Sequence, residues 1–405
     1  MLHLHCILLL YFLVSVLHFA DGSSLLRDTA IKSLESNIIT MKSGKSYLRA
    51  ASHQFGGLWT RDFAFSVPAL LQLGHTSTVR DHIDLILSNL REKDNLVPRL
   101  IDDLSLAKRY ALALIHQYPM VKEPLTPYYV GGNGGEEAID GNLLVTIAFF
   151  QYVNATNDVE FFNRHKHCVQ KCLQFYHSFI REGLIYQNSF SDWADNAKRE
   201  GHVFLTNLFL WEALELGSKY SLFEDFPHPD VLKAKLKERF VVEEDGITVI
   251  KSLIGSDYVS LDSYFFSYYF EFFSPAEQVY MYNQLKFHGV WNCSHGSSSI
   301  PGCVSFPSYK DSEISLASKA VGLRHYSDNL YHSFSIAWAG YLARKGHDFK
   351  KYGLILDRLS SIVKRDGVIH ELFHDDEDLT IFNTLIFHSE FPFTWGSATV
   401  VLASV

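Results

Sequence analysis

The sequence predicts an all-α protein. Apolar residues recur at helical spacing in segment after segment, strand-like runs are few and short, and about ten to twelve helical segments alternate with long loops rich in Trp, Tyr, Asp, Glu and Gly. No Pro/Gly/Ser-rich linker or block of charge divides the chain after its start, so one domain over 23–405 is expected. That expectation stands against length, because 405 residues exceed the ~250–300 at which a single core usually stops growing. A composition 47% hydrophobic and 20% charged excludes disordered, collagen-like and low-complexity classes. A net charge of −9 without a basic run leaves no electrostatic footprint for nucleic acid or an anionic membrane.

Residues 7–17 form an apolar run, too short for the roughly 20 residues of a membrane span, and Ala20 and Gly22 offer a small-x-small cleavage site. Residues 1–22 therefore read as a signal peptide, and no later segment resembles a span. The expected location is secreted or in an endomembrane lumen, extracellular or lysosomal; the sequons at Asn154 and Asn292 agree with that route. Cys293 and Cys303 flank a Ser/Gly/Pro-rich stretch and are the expected disulfide. Cys168 and Cys172, four apart in a predicted helix, suit a bridge poorly.

Helical spacing is clearest at Val79, Ile83, Ile86 and Leu90, at Phe204, Leu208 and Trp211, and at Tyr352, Ile355, Leu359 and Ile362. Ser77 and Thr78 are N-cap candidates, Gly74 and Gly217 can take the left-handed conformation at C-termini, and Gly346 closes the helix containing Trp338. Residues 246–250 and 128–130 read as hairpin fragments, and the aromatic run from Tyr264 to Phe273 reads as core.

Four loop segments combine carboxylates with aromatics or glycine: Gly57-Leu58-Trp59-Thr60-Arg61-Asp62, Glu136-Glu137-Ala138-Ile139-Asp140, Ser191-Asp192-Trp193-Ala194-Asp195 and His370-Glu371-Leu372-Phe373-His374-Asp375-Asp376. Any one of them could be an N-capping loop. Together they fit sugar chemistry, in which rings stack on aromatics, hydroxyls need acceptors and forked donors, and glycosidic cleavage needs a carboxylic acid and a carboxylate.

The run from Trp59 through Arg61, Asp62, Ser66 and Pro68 to Leu70 and Leu71 resembles the W-x-R-D-x-x-x-S-x-P-x-L-L signature of the glucosidase domain of glycogen-debranching enzymes. Further segments follow in that family's order. Residues 138–152 resemble its next helix, Trp193-Ala194-Asp195 its W-x-D, residues 204–216 its N-A-L-W-Y helix, 371–375 its E-I-F-D segment, and Phe393-Thr394-Trp395-Gly396 its terminal F-S-W element. The resemblance implies an (α/α)6 toroid, a six-hairpin barrel shared with neutral invertases and glucosidase-I-like enzymes.

It also implies an inverting, exo-acting hydrolase of α-1,6- or α-1,4-glucosidic linkages in a glucan or oligosaccharide, with no cofactor and no metal. Asp195 would be the general acid and Glu371 the general base, about 6.5–9.5 Å apart. Trp59, Arg61, Asp62, Glu137, Asp140, Asp192, Trp193 and Trp395 would bind substrate. Asp192 and Glu137 compete as acid and Glu390 competes as base. A carbohydrate-binding barrel without catalysis and an invertase- or trehalase-like disaccharide hydrolase stay open as alternatives. A terpenoid-cyclase-like barrel finds only Asp375-Asp376-Glu377-Asp378 as an approach to its metal motif. A monomer is expected.

Gly44-Lys45-Ser46 lacks the glycine and strand of a phosphate loop, and residues 131–135 lack a following Lys or Ser. His165, His167, Cys168 and Cys172 do not have the spacing of a zinc site.

Overall fold

The computed structural model describes residues 24–130, 136–288, 301–320, 322–323, 330–385 and 387–404. The expected leader, the Asn292 sequon, Cys293 with the bridge it would make, the segment 131–135, and His325 and Tyr326 lie outside the described residues. Cys168 and Cys172 are free thiols.

Fourteen helices occur among the described residues: α1 (24–35), α2 (Thr60–Gln72), α3 (Thr76–Leu87), α4 (Leu106–Ala113), α5 (Asp140–Thr156), α6 (Val159–Gln174), α7 (Phe204–Ser218), α8 (Pro229–Phe240), α9 (Leu261–Tyr269), α10 (Pro275–His288), α11 (Leu316–Ala320), α12 (Ser333–Lys345), α13 (Phe349–Asp366) and α14 (Thr394–Ala403). Two burial patterns divide them. In α5, α7, α12 and α14 nearly every position is buried, as a helix apolar all round requires. In α3, α6 and α13 one stripe is buried, such as Val79, Ile83 and Ile86 of α3 or Ile355, Leu359 and Ile362 of α13.

Packing follows the same division. α2 lies against α5, α5 against α7, α7 against α9, α9 against α12, α12 against α14 and α14 against α2, so the order of neighbours returns to its start. The striped helices cover them: α3 and α6 pack on α5, α8 on α7, and α10 and α13 on α12. The two ends of the chain meet where Asn37 Nδ2 donates to Pro392 O and Thr394 Oγ1, both at 2.8 Å, and Thr394 N donates to Ala50 O at 2.9 Å.

Short antiparallel ladders stiffen the loops before the inner helices. Leu58–Trp59 pairs with Leu100–Asp102, which pairs in turn with Thr126–Tyr128; Leu330–His332 pairs with Leu372–His374, with His332 opposite Leu372. Ile247–Ile250 forms its hairpin with Val241–Glu244.

Three local expectations are corrected. The N-cap of α3 is His75, one residue before the helix begins at Thr76, so Ser77 and Thr78 lie inside its first turn. Gly217 lies within α7, at a position where a Cβ would strike the Phe223 ring; Gly74 does take the left-handed φ of 83°. Leu90 lies beyond the end of α3.

Candidate active site

The first turns of α2, α5 and α9 each carry an aspartate, Asp62, Asp140 and Asp262, at the positive ends of their helix dipoles. The first turn of α2 and the loops before α7, α12 and α14 converge on a cavity of about 480 Å³, within the range of ligand pockets, with Asp140 and Asp262 behind its lining. Trp59, Arg61, Asp62, Trp193, Asp195, Glu371 and Trp395, separated by up to several hundred residues in sequence, all line it.

Arg61 is held from behind. Its Nε and one terminal nitrogen donate to the two oxygens of buried Asp140 at 2.8 and 3.0 Å, a bidentate pair that fixes the fork. Its other terminal nitrogen lies 3.6 Å from Asp195 Oδ2, and Arg99 donates to that same oxygen. Two guanidinium groups therefore flank Asp195. The Arg99 guanidinium lies 5.1 Å from the Trp59 ring centre, joining the second wall of the cavity to the first.

Trp193 is positioned by its indole N–H, which donates to Asp262 Oδ2 at 2.8 Å, and by edge contacts with Phe334 and Trp395. Asp192 points away from the cavity. It pairs with Arg199 at 2.8 Å and accepts from Gln187 at 2.8 Å, while Arg199 also reaches Asp262 at 2.9 Å. This buried network ties the Asp195 loop to α9. Trp395 is stacked between Phe334 at 3.9 Å and Phe65 at 4.3 Å.

Glu371 immediately precedes the strand Leu372–His374 that pairs with Leu330–His332. Burial, then the neighbouring Glu390, Asp62 and Asp195, push its carboxyl well above the usual range. Glu390 lies behind it, fully buried, accepting from the backbone N–H groups of His53 at 3.2 Å and Phe55 at 3.1 Å; burial pushes it up to about 8. It is not among the cavity-lining groups. Burial also carries Asp62 up to about 7 despite Arg61. His332 accepts from Phe334 N at Nδ1, and burial holds it well below its usual value, so it is neutral with its proton on Nε2, 4.0 Å from Glu371 Oε1.

Glu137 is placed elsewhere. It is partly exposed and pairs with Arg91 at 2.6 Å, outside the lining of this cavity, as are Asp140 and Asp192. Among the described residues no group of three or more His, Cys, Asp and Glu is placed to hold a metal, and no helix is long and apolar enough to cross a membrane. Asp375 to Asp378 lies outside the cavity lining.

No family model matches the sequence, and no curated protein matches it. Solved structures do match along nearly the whole chain. A rhamnosidase from Klebsiella oxytoca aligns with a TM-score of 0.60 at 11% identity, over 94% of this chain and 63% of its own. A mannosylglycerate hydrolase from Thermus thermophilus aligns at 0.58 and 12%, over 93% and 99%. A metal-independent α-mannosidase from Streptococcus pneumoniae aligns at 0.56 and 13%, over 98% and 97%. The chain has the fold of these glycosidases.

Within this glycosidase fold, several cavity groups escaped sequence reasoning. Arg99 carries a detectable signal, a single charge inside the apolar run Leu96-Val97-Pro98-Arg99-Leu100-Ile101. Phe55 and Phe387 line the cavity from loops, and Leu106 and Tyr110 from α4, in segments whose local sequence resembles any other apolar segment.

Proposed function

We propose that the protein is a glycoside hydrolase built as an (α/α)6 toroid, cleaving a terminal α-linked glucosyl or related residue by single-step inversion without a cofactor. The observation that carries this reading is the meeting of Asp195 and Glu371 in one cavity with Trp59, Trp395, Arg61 and Asp62. The closed order of inner helices, with outer helices packed on α2, α5, α7 and α12, supports the toroid. The resemblance to debranching enzymes supports α-glucosides, with Asp195 giving a proton to the leaving oxygen and Glu371 taking one from water.

One observation favours the opposite allocation of the two carboxyls. Burial and like charge push the Glu371 carboxyl well above the usual range, toward the form a proton donor needs, while Asp195 lies between two guanidinium groups. A leaving-group test separates the two. Asp195→Asn and Glu371→Gln would be compared on an ordinary α-glucoside and on α-glucosyl fluoride, whose leaving group needs no proton. The variant that keeps activity on the fluoride has lost the acid, and the one that loses both has lost the base. Following the released anomer by NMR tests inversion. Full hydrolysis by both variants would refute the assignment, and sugar binding without turnover in the unaltered protein would favour a non-catalytic barrel. Entry to a secretory pathway is proposed with it, and glycosylation of exposed Asn154 would be seen as a mass shift removed by endoglycosidase.

A further inference from the structure

The cavity lining has two chemically different parts. Of the charged groups, Arg61 and Asp62 come from the first turn of α2, and Asp195, Arg99 and Glu371 from loops. The rest of the lining is largely apolar, and it comes from excursions outside the helix pairs. α4 presents Leu106 and Tyr110, one helical turn apart on one face; residues 317–320 and 322–323 present Ala317 and Leu323; the loop before α14 presents Phe387. Phe55 joins these walls, packing on the cluster of Ala50, Trp59 and Leu100, on which Leu106 also packs, and on the cluster of Leu330, Leu372 and Phe387, on which Leu323 also packs.

The excursions converge. The His116 ring at the end of α4 lies 6.2 Å from the His388 ring, and Gln54 Nε2 donates to His388 O at 2.9 Å. Each excursion then carries its apolar character outward: Leu114 is 62% exposed, Leu316 83% and Leu385 96%, and each follows or neighbours a lining residue. A second sugar needs hydroxyl partners, as the first one has. Among the described residues this part of the lining offers the Tyr110 hydroxyl, Asn196 and Ser318, and Ser318 already bonds to Ser315 at 2.9 Å. The Leu106, Ala317 and Leu323 side chains favour burial of methylene groups, and the Phe55, Tyr110 and Phe387 rings add flat apolar faces that suit an alkyl or aryl group.

We infer that the group attached to the cleaved sugar is apolar, an alkyl, aryl or acyl-chain aglycone, and that the excursions form its binding site. This rests on the hydrolase reading and narrows it, replacing the glucan leaving group implied by sequence resemblance. In the step itself, water adds its oxygen to the anomeric carbon, and the bond from that carbon to the aglycone oxygen breaks. One carboxyl takes a proton from the water, and the other gives a proton to the aglycone, which leaves as an alcohol.

The test uses the full chain and pairs of α-glycosides sharing one sugar, glucose, mannose or rhamnose, with methyl or octyl as aglycone, the latter below its micelle concentration, beside maltose and isomaltose. Methanol and octanol are leaving groups of similar acidity, so a difference reports binding along the transition state. The expected result is an octyl kcat/KM at least tenfold above methyl, about 1.4 kcal/mol, and above both disaccharides. Leu323→Asn and, independently, Leu106→Asn should each lower the octyl-to-methyl ratio, a quantity insensitive to the amount of folded enzyme. Hydrolysis with no octyl preference, or with a disaccharide preferred, overturns the apolar site and leaves the hydrolase standing. No hydrolysis of any substrate overturns both.

Discussion

Arg61 and its partner Asp140 show how a residue can serve a site it does not line. The bidentate pair lies at the junction of α2 and α5, and the guanidinium it fixes reaches Asp195. Removing Asp140 leaves that cation partly unpaired in a desolvated setting, so Asp140→Ala should cost about 3–5 kcal/mol of stability, read by urea denaturation. It should also lower kcat/KM more than a stability loss alone explains at temperatures where the variant remains folded. For the carboxyls themselves, Asp195→Asn and Glu371→Gln should each lower kcat by about 10²–10⁴ on an unactivated glycoside. Both candidates were legible in the sequence because acids set among aromatics stand out locally, Asp195 after Trp193 and Glu371 before Phe373. Which groups flank them was not, since Arg99 comes from a loop 96 residues before Asp195 and Glu390 turns back on His53 across 337 residues.

At the scale of elements, glycine marks close approach more often than it marks an end. Gly396 sits where α14 passes α12, and an added Cβ would overlap the Ser333 side chain. Gly396→Ala should therefore destabilise by about 1–3 kcal/mol, seen as a lower denaturation midpoint with an unchanged slope. Gly217 has the same character against Phe223, and this residue, read as a helix end, lies inside α7. Periodicity located α3, α7 and α13 well because a one-sided or fully apolar pattern is written along the element. The cap of α3 escaped because His75 competes with better capping residues two positions later, and its bond is from backbone to backbone, with Val79 N donating to His75 O at 3.2 Å.

For the whole molecule, burial of acids sets a pH dependence. Asp62 is raised to about 7, Glu390 and the distant Glu212 of α7 to about 8, and Glu371 is raised as well, all principally by burial. In the unfolded chain such groups ionise near pH 4 to 4.5. Across pH 6.5 to 8.5 the unfolded state holds fewer of these protons than the folded one, so their contribution to stability is present at low pH and falls as pH rises. Thermal denaturation should accordingly show Tm falling from pH 6.5 to 8.5. Glu212→Gln, remote from the cavity lining, should reduce the fall; an unchanged slope would refute the role of that acid. The lowered His82, near 3, and His370, near 4, act in the opposite sense, withdrawing stability as pH drops below about 6.5.

The sequence by itself determined the helical class, the contrast between helices apolar all round and helices with one stripe, and the loops in which acids stand beside tryptophan. These are properties of neighbours a few residues apart, and propensity and periodicity record them directly. Only the tertiary structure decided which carboxyls share a cavity. It sent Asp192 back toward Arg199, Glu137 out to Arg91 and Asp140 behind Arg61, and it brought Arg99 to Asp195. A carboxylate in a loop has several possible partners; folding selects among them by which cation the packing of distant helices leaves within reach, and that choice depends on contacts the local sequence does not contain.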